Sequence, residues 1–424
     1  MDAYAIIGAG FGDEGKGASV DALVHSLLTE GRKPVVVRSG SGAQAAHTVQ
    51  FQQGETSIRH VFGHIGSGTL SGDNGAPTWL GPRFVHNPPL FLKEHDQLRA
   101  LGANPVVYAD LSSTITLPVD VAINQGLERS RGRERHGSCG IGFGEAVGRS
   151  EHSRWRVTFS DLRSGLDKPD LLRDRLVTIS HEYEEERLST LDISEGQRDF
   201  VRAATERGFI EAWMADALSF ARIVEPRSAA DISSSFDVVV FEGAQGLLLD
   251  RDAAFFPHVT RSRTGLPNVI ELLDLLGINR LEAIYVTRSY ATRHGAGPLP
   301  GEGLPDPNGR VLKFHDGTNV PNPYQETLRF SPLVPSLMAG AIMHDLTAAR
   351  HQTDVFIKPR LAVTCLDQTE DKVLVLEDGE TAAISPNELL QSFGGVRGWL
   401  PVWIAVGEGR EQRSFPATTQ LVAA

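Results

Sequence analysis

The chain has 424 residues, of which 41% are hydrophobic and 22% are charged, values that are ordinary for a globular protein. Its net charge of −12 argues against bulk binding of nucleic acid, and no apolar run approaches the roughly 20 residues of a membrane span. Two cysteines, Cys139 and Cys365, are too few for a disulfide framework or a cysteine-based metal site. The first strand begins near residue 4 and leaves no room for a targeting sequence, so we expect a cytoplasmic protein without membrane or nucleic-acid partners.

The chain opens with a strand, a glycine-rich turn and a helix. Residues 4–7 are a short apolar run typical of a buried strand, and five glycines follow between residues 8 and 17. Beyond Lys16, apolar residues recur with the period of a helix. Glycines let backbone N–H groups approach an anion, and a helix start adds a favourable dipole, so this segment predicts a phosphate site.

Two templates fit this glycine loop. Residues 10–16 match a P-loop up to its last position, where Gly17 stands in place of Ser or Thr, and the same glycines match a dinucleotide fingerprint. Asp13 and Glu14 lie inside the loop and would repel a pyrophosphate held by amides alone. A nucleotide that brings Mg²⁺ would take Asp13 as a ligand, and Lys16 suits a β- or γ-phosphate. We therefore favour the P-loop interpretation.

The rest of the chain alternates strands with helices or loops. Strands are predicted at 34–38, 106–109, 237–241, 283–286, 361–364 and 402–406, and helices at about 90–101 and 332–350. This order predicts an α/β fold with a mostly parallel central β-sheet flanked by helices and with ligands at the carboxyl edge of the sheet. We expect a single domain over residues 1–424, with a helical insertion at about 160–235 and a loop-rich substrate region at about 299–330.

Charged residues follow several of these strands. Asp13 and His47 come after the first two strands, so they are expected at neighbouring strand ends, where a carboxylate and an imidazole could serve a bound nucleotide as base and acid. The alternatives are a helix cap for Asp13 and a backbone-bonded loop residue for His47. Arginines between 129 and 156 flank a second glycine loop at 137–144, which indicates a phosphate or carboxylate site, although such runs are most often solvated faces.

Five motifs occur in the order and approximate spacing of the adenylosuccinate synthetase family. They are Gly8-x-x-x-Gly12-Asp-Glu-Gly-Lys-Gly17, Ala45-Ala-His47-Thr48, Phe241-Glu-Gly-Ala-Gln-Gly246, Thr292-Arg-x-Gly-Ala-Gly-Pro298 and Cys365-Leu-Asp367. The resemblance covers residues 1 to about 410, and the first and third motifs are specific to that family. A Gln-x-x-x-Arg-Phe form that ends at Phe330 is similar to the archaeal and phage branch, so the chain resembles a divergent member.

The resemblance implies a ligase of purine biosynthesis that joins L-aspartate to C6 of a 6-oxopurine nucleotide, converting IMP to adenylosuccinate. In that reaction a nucleoside triphosphate, GTP or ATP, phosphorylates O6 with Mg²⁺ as cofactor, and the amine of aspartate then displaces phosphate. The resemblance also implies a homodimer, in which Arg149 corresponds to an arginine that reaches the nucleotide of the neighbouring subunit.

Roles for single residues are likewise implied by the resemblance. Asp13 corresponds to the base at purine N1 and to a Mg²⁺ ligand, His47 to the acid that supports γ-phosphate transfer, and the carbonyl of Ala46 to a second metal ligand. Lys16 and Gln245 complete the catalytic set. The other residues carried over are Gly12, Glu14, Gly15, Gly17, Asp367 and Arg410 for the nucleotide and its phosphates, Ser138, Arg149, Gln245 and Thr260 for the acceptor nucleotide, and Arg329 and Gly295 for the amino acid.

Several positions depart from the family pattern. Gln44 replaces an Asn, and the loop at 322–330 carries Arg329 as its only guanidinium, which leaves the identity of the amino acid open. Cys365 replaces a Lys beside the predicted base-reading Asp367, so ATP stays open as a donor beside GTP. Phage relatives that make 2-aminoadenylosuccinate from GMP or dGMP tend to carry a smaller residue at the position of Asp13, so its presence favours an inosine-type acceptor.

Three other functions are weighed against this one. The first is a ligase on the same scaffold with another acceptor, such as GMP or dGMP, or another amine. The second is an NADP-dependent oxidoreductase that uses the glycine loop and Arg38 and needs no Mg²⁺. The third is a nucleotide sensor without catalysis, which the altered loop at 322–330 suggests. Retention of Asp13, Lys16 and His47 together argues against the sensor, because a binder needs neither an acid nor a base.

Overall fold

Nine parallel strands form one large sheet in a computed structural model of the chain. The structure describes residues 1–72, 75–132, 138–314, 316–317, 327–393 and 400–404, the last segment by its backbone. In chain order its strands are β1 (Asp2–Gly8), β2 (Pro34–Arg38), β3 (His47–Gln53), β4 (Thr56–Phe62), β5 (Thr78–Leu80), β6 (Val85–His86), β7 (Val107–Ala109), β8 (Thr114–Ile115), β9 (Glu225–Pro226), β10 (Val238–Gly246), β11 (Arg280–Arg288), β12 (Ala291–His294), β13 (Leu328–Ser331), β14 (Phe356–Thr364), β15 (Val373–Glu377), β16 (Glu380–Ile384) and β17 (Leu400–Ile404).

Helices follow most of the central strands. They are α1 (Lys16–Thr29), α2 (Pro88–Ala100), α3 (Pro118–Arg131), α4 (Phe143–Glu151), α5 (Phe159–Gly165), α6 (Pro169–Thr190), α7 (Glu195–Ala203), α8 (Arg207–Ile223), α9 (Ala229–Ser235), α10 (Pro267–Leu276), α11 (Pro335–Arg350) and α12 (Pro386–Ser392). Half of these helices begin at a proline. Proline is favoured there because its missing N–H would have no partner in the first turn and its φ already suits a helix.

The large sheet has the strand order β17-β14-β11-β1-β10-β2-β5-β7-β9, and its strand pairs are parallel. The α/β fold class predicted from the sequence is therefore confirmed. The strand that leads into the glycine loop, β1, lies between β10 and β11 near the middle of the sheet. Short antiparallel hairpins, β3–β4, β12–β13 and β15–β16, are attached outside it.

Alternate residues of β1 face the two sides of the sheet. Ala5 and Ile7 belong to an apolar cluster that includes residues of α10 and α11. Tyr4 and Ile6 belong to a second cluster, which they share with Val20 and other residues of α1. Both faces of the strand are thus buried, which explains why the sequence shows a continuous apolar run there.

A third apolar cluster lies toward the β7 side of the sheet. It joins Leu80 and Val107 to residues of the helical segment that runs from α5 to α8, including Phe159 and Phe220. The helical insertion expected at about 160–235 and the assignment of one domain to residues 1–424 stay predictions. Among the described helices, no segment has the length and apolar character that a bilayer crossing requires.

The register of the sheet brings the carboxyl ends of its strands to one edge. Gly8 of β1 pairs with Gly246 of β10 and with Val286 of β11, and Arg288 pairs with Thr364 of β14. Because the strands are parallel, the loops that follow them lie side by side. The glycine loop therefore has the ends of β10, β11 and β14 as its neighbours.

Candidate active site

The glycine loop between β1 and α1 passes through left-handed backbone. Gly12, Asp13 and Gly15 have φ angles of 95°, 64° and 89°. Glycine adopts this region without strain, and aspartate is one of the few other residues that tolerates it. Gly15 precedes the first residue of α1, Lys16. The loop therefore ends at a helix start, where backbone N–H groups and the helix dipole favour an anion, as the sequence predicts.

The side chain of Glu14 holds the glycine loop together from inside. Its carboxylate accepts hydrogen bonds from the backbone N–H groups of Gly10, at 3.0 Å, and Gly12, at 2.8 Å, and pairs with the Lys16 ammonium at 2.5 Å. Both charged side chains are buried. A nucleotide phosphate would therefore share Lys16 with Glu14, and the predicted contacts of these two residues with nucleotide stay predictions.

Gly17 allows His47 to lie directly against the first turn of α1. A Cβ atom added at Gly17 would lie 2.4 Å from the Cβ of His47 and 2.9 Å from the Oγ of Ser67. No side chain fits at these distances without displacing a neighbour. The close approach gives a physical reason why glycine stands where a P-loop carries Ser or Thr. Two residues that the sequence predicts for one site, Lys16 and His47, are thereby brought together.

His47 is bonded to a buried carboxylate that our sequence analysis does not select. The Nδ1 of His47 lies 2.6 Å from Oε1 of Glu242, in the middle of β10. The backbone N–H of Ser67 donates to Oε2 of Glu242 at 3.1 Å, and the Ser67 hydroxyl donates to Oε1. The sequence signal that could have identified Glu242 is its position in the Phe-Glu-Gly-Ala-Gln-Gly motif, directly after a Val-rich run that predicts a buried strand.

Burial and neighbouring charges shift the acid–base groups of this site. Burial raises the pKa of Asp13, while the cations of Arg288 and Lys16 oppose that rise. Burial lowers the pKa of His47, and the Glu242 carboxylate opposes that change. For Glu242, burial acts to raise the pKa, but His47 and other partners outweigh it and lower the value to about 2. Glu242 is therefore ionised at neutral pH.

Side chains at the ends of β11 and β14 fix the glycine loop from the other side. The Arg288 guanidinium donates from Nε to the backbone carbonyl of Asp13 at 2.5 Å and from Nη2 to Asp316 at 2.7 Å. The Thr364 hydroxyl donates to the carbonyl of Glu14 at 2.8 Å. These partners lie 275 and 350 residues along the chain from the loop, so no local sequence signal identifies them.

The predicted acceptor-nucleotide residue Thr260 faces the loop that follows β2. Its hydroxyl lies 3.2 Å from the hydroxyl of Ser262, which lies 3.2 Å from that of Ser41. The neighbouring Arg261 donates to the carbonyl of Gly144 at 3.2 Å, in the first turn of α4. Three separated segments thus meet at a group of hydroxyls and a helix start, which is the donor set that a phosphate needs.

Ser138 lies in the second glycine loop, which α3 holds in place. Its hydroxyl donates to the side-chain oxygen of Asn124 at 3.0 Å, and the same oxygen accepts the N–H of Gly142 at 3.1 Å. This loop leads into α4, whose start approaches Arg261. Ser138 and Thr260 therefore belong to the same part of the molecule. The first residues of the loop, up to residue 137, lie outside the described part of the chain.

The structure pairs Arg149 with groups of its own chain. Its side chain is fully buried, with Nε and Nη2 paired to Asp120 at 2.9 Å. Its Nη1 and Nη2 also donate to the carbonyls of Trp155, at 2.6 Å, and Ile115, at 2.7 Å. All three nitrogens of the guanidinium therefore have partners inside the chain, and the role expected for Arg149 at the acceptor nucleotide of a neighbouring subunit stays a prediction. The spacing of arginines in the sequence does not reveal this, because burial depends on the distant Asp120.

The predicted metal ligands, Asp13 and the carbonyl of Ala46, are both hard oxygen donors. Among the described residues, no group of three or more His, Cys, Asp or Glu side chains could hold a metal ion. Mg²⁺ does not require such a group, because it is usually bound by one or two carboxylates, with waters and substrate phosphates as its other ligands. A cation beside Asp13 would also offset the burial that raises the pKa of its carboxyl. The donor set fits Mg²⁺.

Gln245, the other residue predicted to be catalytic, lies on the β10 side of the glycine loop. Its backbone is left-handed, with φ of 64°, and its carbonyl oxygen would lie 2.7 Å from a Cβ added at Gly8. The glycine at position 8 therefore allows the end of β10 to approach the start of the loop. The structure places Gln245 beside the loop, and its role in catalysis stays a prediction.

The two residues predicted to bind the amino acid are in direct contact. Nη2 of Arg329 donates to the carbonyls of Gly295 and Gly297, each at 2.8 Å. Its Nη1 pairs with the half-exposed Glu302 at 2.7 Å. A substrate carboxylate would therefore compete with Glu302 for this guanidinium. Residues 318–326, which include the first part of the altered loop, lie outside the described residues.

The predicted base-reading residue, Asp367, is exposed in a short turn that follows β14. The turn begins at Cys365, whose backbone is left-handed with φ of 61°. The hydroxyl of Ser289 donates to the carbonyl of Cys365 at 2.8 Å and so ties the turn to the end of β11. Arg410, predicted for the same nucleotide, lies outside the described residues.

Two cavities lie near the carboxyl edge of the sheet. One lies between Gly10 of the glycine loop, Arg288 and the α11 residue Leu337, with mostly apolar walls. The other lies between Gly40 after β2, Glu242 of β10 and the segment that precedes α10.

Comparison with known proteins agrees with the motifs. A family model for adenylosuccinate synthetase matches residues 5–317. Adenylosuccinate synthetases of Xanthomonas campestris pv. campestris and Stenotrophomonas maltophilia are each 28% identical to the chain, the former over 311 residues that make up 73% of this chain and 66% of the relative. The chain belongs to the adenylosuccinate synthetase family. Its match spans just under two thirds of the length of these curated relatives.

Two solved structures share the fold over nearly the whole chain. The fully ligated adenylosuccinate synthetase from Plasmodium falciparum has a TM-score of 0.62 at 17% identity and covers 97% of this chain and 99% of its own. The cyanophage S-2L succinoaminodeoxyadenylate synthetase, bound to dGMP and to dATP as an energy donor, has a TM-score of 0.57 at 15% identity. It covers 99% of this chain and 97% of its own.

Proposed function

We propose that this chain is a nucleoside-triphosphate-dependent ligase that joins L-aspartate to C6 of a 6-oxopurine nucleotide, with IMP as acceptor and adenylosuccinate as product. Family membership supports the class of reaction. An amide-like O6 is a poor leaving group, and its phosphorylation lets an amine displace it as phosphate. The enzyme must therefore activate O6 and stabilise charge on the phosphoryl group during transfer.

The observation that carries this proposal is that Asp13, Lys16 and His47 gather at one glycine loop: Lys16 begins α1, and a Cβ added at Gly17 would lie 2.4 Å from the Cβ of His47. The Lys16 charge opposes the rise in the pKa of Asp13 that burial causes, and it contributes to the lowered pKa of His47. A carboxylate, an ammonium and an imidazole around one glycine loop are the groups that phosphorylation of O6 requires. A nucleotide-binding protein without catalysis would need the ammonium and the loop amides alone.

Each group then has a defined task. Asp13 accepts the N1 proton of the purine, which raises the nucleophilicity of O6. Lys16 and the N–H groups of residues 15–17 bind the phosphates of the donor, and His47 supports the transferring phosphoryl. Asp13 and the carbonyl of Ala46 would hold Mg²⁺, which supplies charge neutralisation for the donor phosphates.

The acceptor and the amino acid are assigned to neighbouring surfaces. The cluster of three side-chain hydroxyls, from Thr260, Ser262 and Ser41, supports binding of the acceptor phosphate near Ser138. Arg329, beside Gly295, offers a bidentate partner to a carboxylate of aspartate once Glu302 is displaced. A homodimer and a cytoplasmic location remain part of this proposal.

A second candidate keeps the reaction and changes the acceptor. The cyanophage enzyme of similar fold is bound to dGMP and dATP, so GMP or dGMP as acceptor and ATP as donor are the alternative for this chain. Asp13 favours the inosine-type acceptor, because a carboxylate at this position leaves less room for a 2-amino group. Cys365, in place of a lysine beside Asp367, keeps ATP open as a donor.

The test is phosphate release by the purified protein with Mg²⁺, over IMP, GMP and dGMP as acceptors and GTP and ATP as donors, with and without aspartate. We expect aspartate-dependent release with IMP, and loss of at least about 10²-fold in a Lys16→Ala variant, because the phosphoryl charge is no longer neutralised. Release with GMP or dGMP alone would establish the second candidate. Release no greater than that of the Lys16→Ala variant in every combination would refute both.

A further inference from the structure

The carboxylate that contacts His47 is held on all sides by its neighbours. The Glu242 side chain is completely buried in the middle of β10. Oε1 contacts the His47 Nδ1 at 2.6 Å and accepts the Ser67 hydroxyl, and Oε2 accepts the Ser67 N–H at 3.1 Å. Both oxygens are therefore used, so rotation of the carboxylate would break at least one of these contacts.

A buried cation lies behind this carboxylate. The guanidinium of Arg38, at the end of β2, has Nη1 4.0 Å from Oε2 of Glu242, and neither side chain is exposed. None of the three side-chain nitrogens of Arg38 hydrogen-bonds to a described residue. A buried arginine with so few direct partners is unfavourable for folding, and Glu242 and Glu94 are the anions that act on it. The charge of Arg38 adds to the effect of His47 in keeping Glu242 anionic.

An anionic carboxylate has only acceptors, so the proton of this contact must lie on His47 Nδ1. That assignment fixes the ring. With Nδ1 bonded to Glu242 and the side chain packed over Gly17, Nε2 is the nitrogen left for a substrate. In a histidine that acts on a phosphoryl group, control of the tautomer and ring orientation decides whether the second nitrogen can work.

We propose that Glu242 is a positioning residue of the phosphoryl-transfer step, acting through His47, with Arg38 and Ser67 holding its carboxylate in place. This inference rests on the proposed ligase function. Glu242 touches no reacting atom itself. It fixes Nδ1 as the donor to the protein and reserves Nε2 for the donor nucleotide.

The first test is the Glu242→Gln variant. Its amide can donate to Nδ1 and thereby move the ring proton to Nε2, with little change in side-chain volume. We expect kcat to fall on the order of 10²-fold or more, as for loss of an acid–base group, while KM for the triphosphate changes by less than about threefold. The matched control is Glu282→Gln, a buried glutamate of β11 whose carboxylate accepts a hydrogen bond from Arg360 at 2.6 Å and does not contact His47. The control should keep the kcat of the parent protein.

A double-variant cycle separates action through His47 from a general structural effect. In a His47→Gln background, Glu242→Gln should lower kcat by less than about threefold, because the residue that it positions is gone. An equal fall in both backgrounds would overturn the proposal. So would an unchanged kcat in the single variant.

A spectroscopic measurement decides the same point without activity. In protein labelled with ¹⁵N-histidine, the neutral ring of His47 should show a protonated Nδ1, and the Glu242→Gln variant should show the proton on Nε2. The His47→Gln variant identifies the resonances. The same tautomer in both proteins would refute the proposal, even if the ligase activity were found. A change of tautomer in a protein without ligase activity would refute the proposed function alone.

Discussion

At the scale of single residues, several ionisable side chains are buried, which is unfavourable for folding unless partners compensate. Asp13, Glu242, Arg38 and Asp345 are ionisable groups held in the interior or at the glycine loop. Each has a specific partner or a shifted pKa, as buried charges require. Those around the loop are explained by the proposed reaction, whereas Asp345 lies on α11 and is structural.

Asp345 provides a prediction about stability and pH. Burial raises the pKa of its carboxyl from 3.8 to about 7, although the Tyr285 hydroxyl, at 2.8 Å, and the Leu266 N–H, at 2.9 Å, oppose the rise. Because the folded-state pKa lies above that of the unfolded chain, the folded protein binds this proton more tightly. The contribution of this group to the free energy of unfolding is complete below about pH 4 and is lost as the pH rises to about 7.

The loss over that interval should be on the order of 4 kcal/mol, and Asp345→Asn should remove it. Denaturant unfolding between pH 4 and 8 measures the effect. Glu94, whose pKa burial also raises to about 7, contributes over the same interval, so Glu94→Gln serves as a parallel variant. Each substitution should remove part of the decrease in the free energy of unfolding between pH 4 and 8, and the double variant should remove most of it. A free energy of unfolding that decreases as much in Asp345→Asn as in the parent protein would contradict this assignment.

At the scale of elements, the first turn of α1 and the loop before β3 must approach closely. The space between Gly17 and His47 admits no Cβ. Gly17→Ala should therefore lower the free energy of unfolding by about 1–3 kcal/mol and reduce kcat, because His47 must move. Gly340, inside α11, has nothing within 4 Å of an added Cβ. Gly340→Ala should instead raise stability by about 0.5–1 kcal/mol and leave kcat unchanged.

Urea titration and steady-state kinetics of the two glycine variants form the matched comparison. Wild-type stability and kcat in Gly17→Ala would show that the contact with His47 is not needed. A destabilised Gly340→Ala would show that the effect of Gly17→Ala is common to glycines in helices and carries no information about the site.

The sequence predicts single elements well because each is coded locally. The apolar run before the glycines becomes β1, residues 34–38 become β2, and residues 361–364 become the end of β14. Contacts between distant segments leave no such local pattern in the sequence. The bond from Arg288 to the carbonyl of Asp13 and the contact of Glu242 with His47 join residues far apart in the chain. The burial of Arg149 depends on Asp120 in the same way.

At the scale of the whole molecule, a single edge of the sheet gathers the candidate site. The ends of β1, β2, β11 and β14 supply the glycine loop, Arg38, Arg288 and Thr364, and β10 supplies Glu242. Parallel pairing alone makes this possible, because it sends every strand end in the same direction. The sequence predicts this gathering from strand order, and the motifs identify the family.

The central claim is that O6 of the acceptor leaves as phosphate. The most direct test uses IMP labelled with ¹⁸O at C6, together with aspartate, Mg²⁺ and GTP or ATP, followed by mass spectrometry of the released phosphate. The proposed reaction transfers the label to phosphate as adenylosuccinate forms, because the bond from C6 to O6 is broken after O6 has been phosphorylated. Turnover that leaves the phosphate unlabelled would contradict the account.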